Sequence, residues 1–137
     1  MTPTQVALVQ DSFAKVVPIR EAAANLFYNR LFEIDPGTRP LFTRSDMGAQ
    51  GAKLMATLAT VVNGLSRPET VVPAAQALAK RHVGYGVTEA HYASVGAALL
   101  WTLGQGLGEA FTPAVEEAWT AAYALLSGVM MEAAKAA

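Results

Sequence analysis

The chain contains no cysteine. That single absence removes disulfides, zinc–thiolate centres, iron–sulfur clusters and cysteine nucleophiles. Charge is also scarce: 15% of residues are charged against 53% hydrophobic, and the formal net charge is −1. The largest basic cluster is the pair Lys80–Arg81, so the phosphate-neutralising stripe of a nucleic-acid surface is missing. Long apolar runs are missing too. The stretch from Tyr92 to Leu107 is interrupted by Ser94, Thr102 and Gln105 and by Gly96, Gly104 and Gly106, and it falls short of the roughly 20 residues that span a bilayer. The opening residues MTPTQVALVQD have no basic head joined to an apolar core, so no secretory signal is read and a cytoplasmic location is expected.

What remains is apolar and helical in period. With 137 residues, the chain suffices for one domain with a hydrophobic core, expected over 1–137. Thr2-Pro3 with Gln5 reads as a helix start, followed by an apolar face of Val6, Val9, Phe13, Val16 and Val17 as far as Pro18. A second helix carries Ala23, Phe27, Leu31 and Ile34 and stops at Asp35-Pro36-Gly37, with a short turn ending near Leu41-Phe42. Residues 43–50 read as a loop. Leu54, Leu58, Val61 and Leu65 mark a third helix. Ser66-Arg67-Pro68 resets the chain before a fourth, which ends at Gly84 and Gly86. Thr88 caps a fifth, and Thr112-Pro113 opens the last. No segment sustains strand alternation. The expectation is an all-α domain of about six to seven helices.

Histidine occurs twice. His82 ends an apolar stripe formed with Leu78, Ala75 and Val71, where an unpaired imidazole is costly. Its partner could be a backbone carbonyl, as for an ordinary core histidine, a carboxylate, or a metal, in the last case with the second ring nitrogen held by a carbonyl. Periodicity leaves all three open. His91 falls in the first turn after Thr88 and reads as a surface or boundary residue. A His82–His91 metal pair lacks carboxylate companions beyond Glu89. Tyr28, Phe42, Gln50 and Leu54 form a second candidate set: if a helix has begun by Gln50, then Gln50 and Leu54 share a face, pairing a donor with an apolar side chain. Each of them also suits plain packing or solvation. The acidic residues scatter over separate segments, and no phosphate loop or metal-binding motif occurs.

Taken in order, LFYNRLFEIDPGTRPLF, QGAKLMATL, ALAKRHVGYGV followed by HY, and AWTAAYALL resemble bacterial globins, specifically the single-domain haemoglobins and the globin domain of flavohaemoglobins. The resemblance runs from Thr4 to about Met130. It implies a globin fold, three helices over three around a non-covalent haem b. It also implies that His82 is the proximal iron ligand, that Phe42 wedges against the porphyrin, and that Tyr28 and Gln50 are the distal hydrogen-bonding pair. Leu54 would lie over the ligand site, Pro36 would turn the chain after the second helix, and Tyr92 would stand near the ligand histidine. Leu78, Val87, Val95 and Leu126 would complete the haem contacts.

The functions implied are reversible binding, storage or delivery of O2, with CO and NO as further ligands, or else nitric oxide dioxygenase activity supported by an external reductase. Flavohaemoglobins pair the proximal tyrosine with a late glutamate; the corresponding position here is Ala134, with Glu132 nearby. No flavin or nicotinamide domain follows before Ala137, so any electrons are expected from a separate protein. The Ala- and Gly-rich helix faces leave room for a homodimer.

Overall fold

The computed structural model describes residues 1–42, 46–84 and 87–136. Among them every regular element is helical, as the sequence period predicts. Helix α1 (Pro3–Val16) opens on a reciprocal cap: the Thr2 hydroxyl accepts the Gln5 N–H at 3.1 Å and the Gln5 side chain accepts the Thr2 N–H at 3.0 Å. A 3-10 turn over Val17–Ile19 absorbs Pro18 and leads into α2 (Arg20–Ile34). A second 3-10 turn, Pro36–Phe42, forms the corner.

Helix α3 spans Met47–Gly64, so the loop expected up to Gln50 is shorter than its sequence suggested; residues 43–45 lie outside the described residues. The reason is Asp46, whose carboxylate accepts the N–H groups of Gly48 (2.9 Å) and Ala49 (3.3 Å) and starts the helix one turn early. Helix α4 (Pro68–Gly84) carries Pro73 near its start and His82 near its end. The expected role of Gly86 in ending that helix falls outside the described residues. In α5 (Glu89–Leu107) Thr88 is the cap, and the Nδ1 of His91 accepts the Thr88 N–H at 3.0 Å. His91 therefore takes the place that glutamate or glutamine fills in the usual capping box. After a short turn (Gly108–Ala110), α6 (Pro113–Ala136) begins where the Thr112 hydroxyl accepts the Val115 N–H at 3.3 Å.

The most extensive helix contacts are α2 on α5, α4 on α6 and α1 on α6. Polar ties fix the register of these apolar contacts. The Trp119 indole N–H donates to the Ser12 hydroxyl at 2.8 Å, and that hydroxyl donates to the Leu8 carbonyl at 2.6 Å. Both side chains are buried, so Ser12→Ala strands an indole N–H in the interior. We expect a loss of about 1–3 kcal/mol, read as a lower denaturant midpoint at unchanged slope. A shift under about 0.5 kcal/mol would mean that the indole finds another acceptor.

The buried residues fall into two apolar clusters. The larger one unites α1, α2, α3, most of α5 and the first half of α6, from Val9 and Phe27 to Leu99 and Trp119. The smaller one joins α4, the start of α5 and the end of α6 through Ala75, Ala79, Tyr92 and Met130. No described helix is long and apolar enough to cross a membrane.

Candidate functional site

On the side of the larger cluster the site is built around Tyr28. Its position on α2, beside Phe27, turns the ring inward, and the residue is 7% exposed. Four aromatic rings hold one another there. Tyr28 meets Phe27 edge-on at 5.0 Å and Phe42 edge-on at 5.4 Å, and Phe32 lies 6.2 Å from Tyr28 and 5.7 Å from Phe42. Such tilted pairs place ring edges against ring faces, where their quadrupoles attract.

Phe42 reaches this cluster because the corner before it is tied down. The Asp35 carbonyl accepts both the N–H (3.0 Å) and the hydroxyl (2.7 Å) of the nearly inaccessible Thr38. The Asp35 carboxylate accepts the Ser94 hydroxyl of α5 at 2.9 Å.

Gln50 lies in the first turn of α3, where its side chain interacts with the Tyr28 phenol. Close approach of the helices makes this contact reachable: a Cβ at Gly51 would sit 3.0 Å from that of Ala24 on α2. Burial pushes the Tyr28 phenol above its ordinary range, and the Gln50 contact offsets part of that rise. The hydroxyl is therefore neutral at physiological pH and retains its proton to donate. Leu54, one turn beyond Gln50, and Val95 on α5 are half-buried and pack against the same cluster. Behind Leu54 an apolar cavity of about 20 Å³ lies among Phe27, Leu58, Leu99 and Trp119. It has room for about one water-sized molecule, and its lining is apolar apart from Thr102.

On the side of the smaller cluster His82 is half-buried near the end of α4. Its Nδ1 lies 2.8 Å from the Leu78 carbonyl. A carbonyl only accepts, so Nδ1 carries the proton and Nε2 is the basic nitrogen of the neutral ring. The His82 carbonyl in turn accepts the Val87 N–H at 3.1 Å, which fixes the exit from the helix. Leu78, Val87 and Leu126 are half-buried and pack with Ala75, Ala79 and Met130. Tyr92 is buried in the same cluster, and burial raises its phenol pKa.

The carboxylate question resolves at the end of α6. Glu132 is exposed and lies 3.6 Å from Lys135, so it does not stand in for an inward acid, while Ala133 packs against the Tyr92 cluster and Ala134 is half-buried. His91 is engaged in the α5 cap, and the described residues contain no group of three or more His, Cys, Asp or Glu able to hold a metal ion. Sequence reasoning did not single out Tyr123, whose hydroxyl donates to the Tyr92 carbonyl. It also passed over Phe32, which the Arg39 guanidinium covers at 5.2 Å. The i,i+4 spacing of Tyr28 and Phe32 was the available signal for the second; the first pair is 31 residues apart and has none.

The chain matches the globin family over residues 25–130. It is 32% identical over 133 residues to a flavohemoprotein of Bordetella parapertussis, covering 96% of this chain and 33% of that protein. To a flavohemoprotein of Rhodopirellula baltica it is 28% identical over 128 residues, covering 92% of this chain and 31% of the relative. The flavohemoprotein of Vibrio cholerae is 28% identical over 134 residues, with 96% and 34% covered. The chain thus spans about a third of the length of the curated relatives it matches. With an all-helical bundle and a family match over most of its residues, this chain belongs to the globin family.

Proposed function

We propose that the chain is a haem protein that reversibly binds O2 at a ferrous haem b held between the two apolar clusters. One observation carries this reading. A histidine tethered to the carbonyl of Leu78 stands one turn beyond that residue of the smaller cluster, while a buried, proton-bearing tyrosine that interacts with Gln50 belongs to the larger.

The residues fit such a group. Phe42, Leu54 and Val95 come from the larger cluster, and Leu78, Val87 and Leu126 from the smaller. All six are half-buried, so an apolar macrocycle would complete their burial. Each 100 Å² covered in this way stabilises by about 2.5 kcal/mol.

When bound, ferrous haem would supply an iron able to take O2, CO or NO. His82 would hold the iron through Nε2, with the Nδ1–H donation to Leu78 setting the tautomer and ring orientation. The Leu78 acceptor is a neutral carbonyl and Glu132 lies at the surface, so the imidazole is not driven toward imidazolate. Weak electron push favours reversible binding over O–O cleavage. Tyr28 and Gln50 would offer donors to a small ligand that carries partial negative charge. The test is the absorption spectrum of the purified, reduced protein before and after CO. A shifted haem band is expected; a colourless protein that takes up no added haem refutes the reading.

Its similarity to flavohemoproteins supports a second use of the same site, nitric oxide dioxygenase activity. One NO, one O2 and one electron give nitrate, the electron coming from a separate NADH-dependent reductase. Sustained nitrate formation with a cellular reductase favours this role, and failure of re-reduction favours the carrier.

A further inference from the structure

Two features meet on the inner face of α6. The Tyr123 hydroxyl donates to the main-chain carbonyl of Tyr92 in the first turn of α5. One helical turn along α5, the Tyr123 ring lies against Gly96 so closely that a Cβ there would be 2.7 Å from Cε2 and 3.0 Å from Cδ2. No real side chain tolerates that contact, so only glycine admits the ring. Tyr123 packs with the larger cluster and Tyr92 belongs to the smaller. This hydrogen bond therefore links the two apolar clusters.

We propose that Tyr123 is a positioning residue: seated on Gly96 and bonded to the Tyr92 carbonyl, it sets the register of α5 against α6, and through Tyr92 it fixes the turn of α4 that presents His82.

The chain of contact is short. Tyr92 shares its cluster with Leu78, Ala75 and Ala79, and the Leu78 carbonyl is the acceptor that orients the His82 ring. A displacement of the α5 start is thus felt where the imidazole tautomer and tilt are decided. Burial, reinforced by the neighbouring Tyr92 phenol, pushes the Tyr123 hydroxyl well above the ordinary phenol range, so it stays a neutral donor at any physiological pH. With Glu132 at the surface beside Lys135, a neutral tether from α6 organises the histidine without strengthening its electron push.

This inference rests on the haem-binding reading, and two variants approach it from opposite sides. Tyr123→Phe keeps the ring on Gly96 and deletes the bond. Gly96→Ala keeps the hydroxyl and displaces the ring, although alanine by itself favours helix by about 1 kcal/mol. The readouts are the iron–histidine stretching frequency of the reduced protein, the haem dissociation rate, and amide exchange over residues 88–96 of the haem-free chain. Both variants are expected to shift the stretching frequency in the same direction and to release haem about fivefold faster. Exchange over 88–96 should quicken in both.

An unchanged stretching frequency in both variants overturns the proposal, even where amide exchange quickens, because Tyr123 would then only brace the fold. Shifts of opposite sign overturn it as well. If Gly96→Ala does not fold, Tyr123→Phe decides alone. A wild-type protein that takes no haem defeats the underlying reading; a haem-loaded wild type with indifferent variants defeats this inference only.

Discussion

His82→Ala is expected to yield a folded chain that loses most of its haem during desalting. The substitution removes the one described imidazole associated with the smaller cluster, leaving apolar side chains that can hold a porphyrin by burial but cannot ligate iron. The fold itself loses little. The bond deleted is local to α4, from Nδ1 to a carbonyl one turn back, and the side chain is only half-buried, so the cost is on the order of 1 kcal/mol. Far-UV circular dichroism should therefore remain near wild type while haem content collapses. His82→Gly with added imidazole sharpens the test, because a diffusible ligand entering the vacated space should restore the CO-shifted spectrum. Haem retained with an unaltered spectrum would mean that another residue holds the iron.

Tyr28→Phe should retain haem and release O2 more than tenfold faster. The phenyl ring keeps the edge-on contacts at 5.0 and 5.4 Å to Phe27 and Phe42, so packing is preserved and only the hydroxyl is lost. A charge-assisted hydrogen bond contributes about 1.5–3 kcal/mol, and roughly 1.4 kcal/mol corresponds to each factor of ten. CO acquires much less charge, so its dissociation rate should change far less. Comparing the two ligands by stopped flow separates hydrogen bonding from pocket shape: equal effects on O2 and CO would mean that Tyr28 acts through packing. Gln50 is left without its phenol partner in this variant and can donate to the ligand alone, which limits the effect relative to a double replacement.

Several parts of the fold and site were legible in the chain because their causes are local. The cap of α1 is written in Thr2, Pro3 and Gln5, and the end of α2 in Asp35-Pro36-Gly37. The tether of His82 is also local, since a histidine four residues beyond Leu78 on a helix reaches that carbonyl without tertiary help. The start of α3 misled because residues 43–50 read as a loop. Asp46 overrides that reading as a cap, and Gly51 serves the close crossing with Ala24. His91 read as a boundary residue, yet its Nδ1 completes the α5 capping box; the spacing from Thr88 was visible, but the substitution of histidine for a glutamate or glutamine hid it.

By itself, the sequence determined the helices, several of their caps, the apolar stripes and the absence of thiol chemistry, since each follows from residue type and a spacing within one or two turns. Only the tertiary structure decided which stripes form one body and which form two. It also decided that Ser12 meets Trp119 from 107 residues away and that Tyr123 reaches the Tyr92 carbonyl over Gly96. Those pairings depend on how whole helices cross, and a crossing is set by the summed fit of many side chains, so no short stretch of sequence contains it.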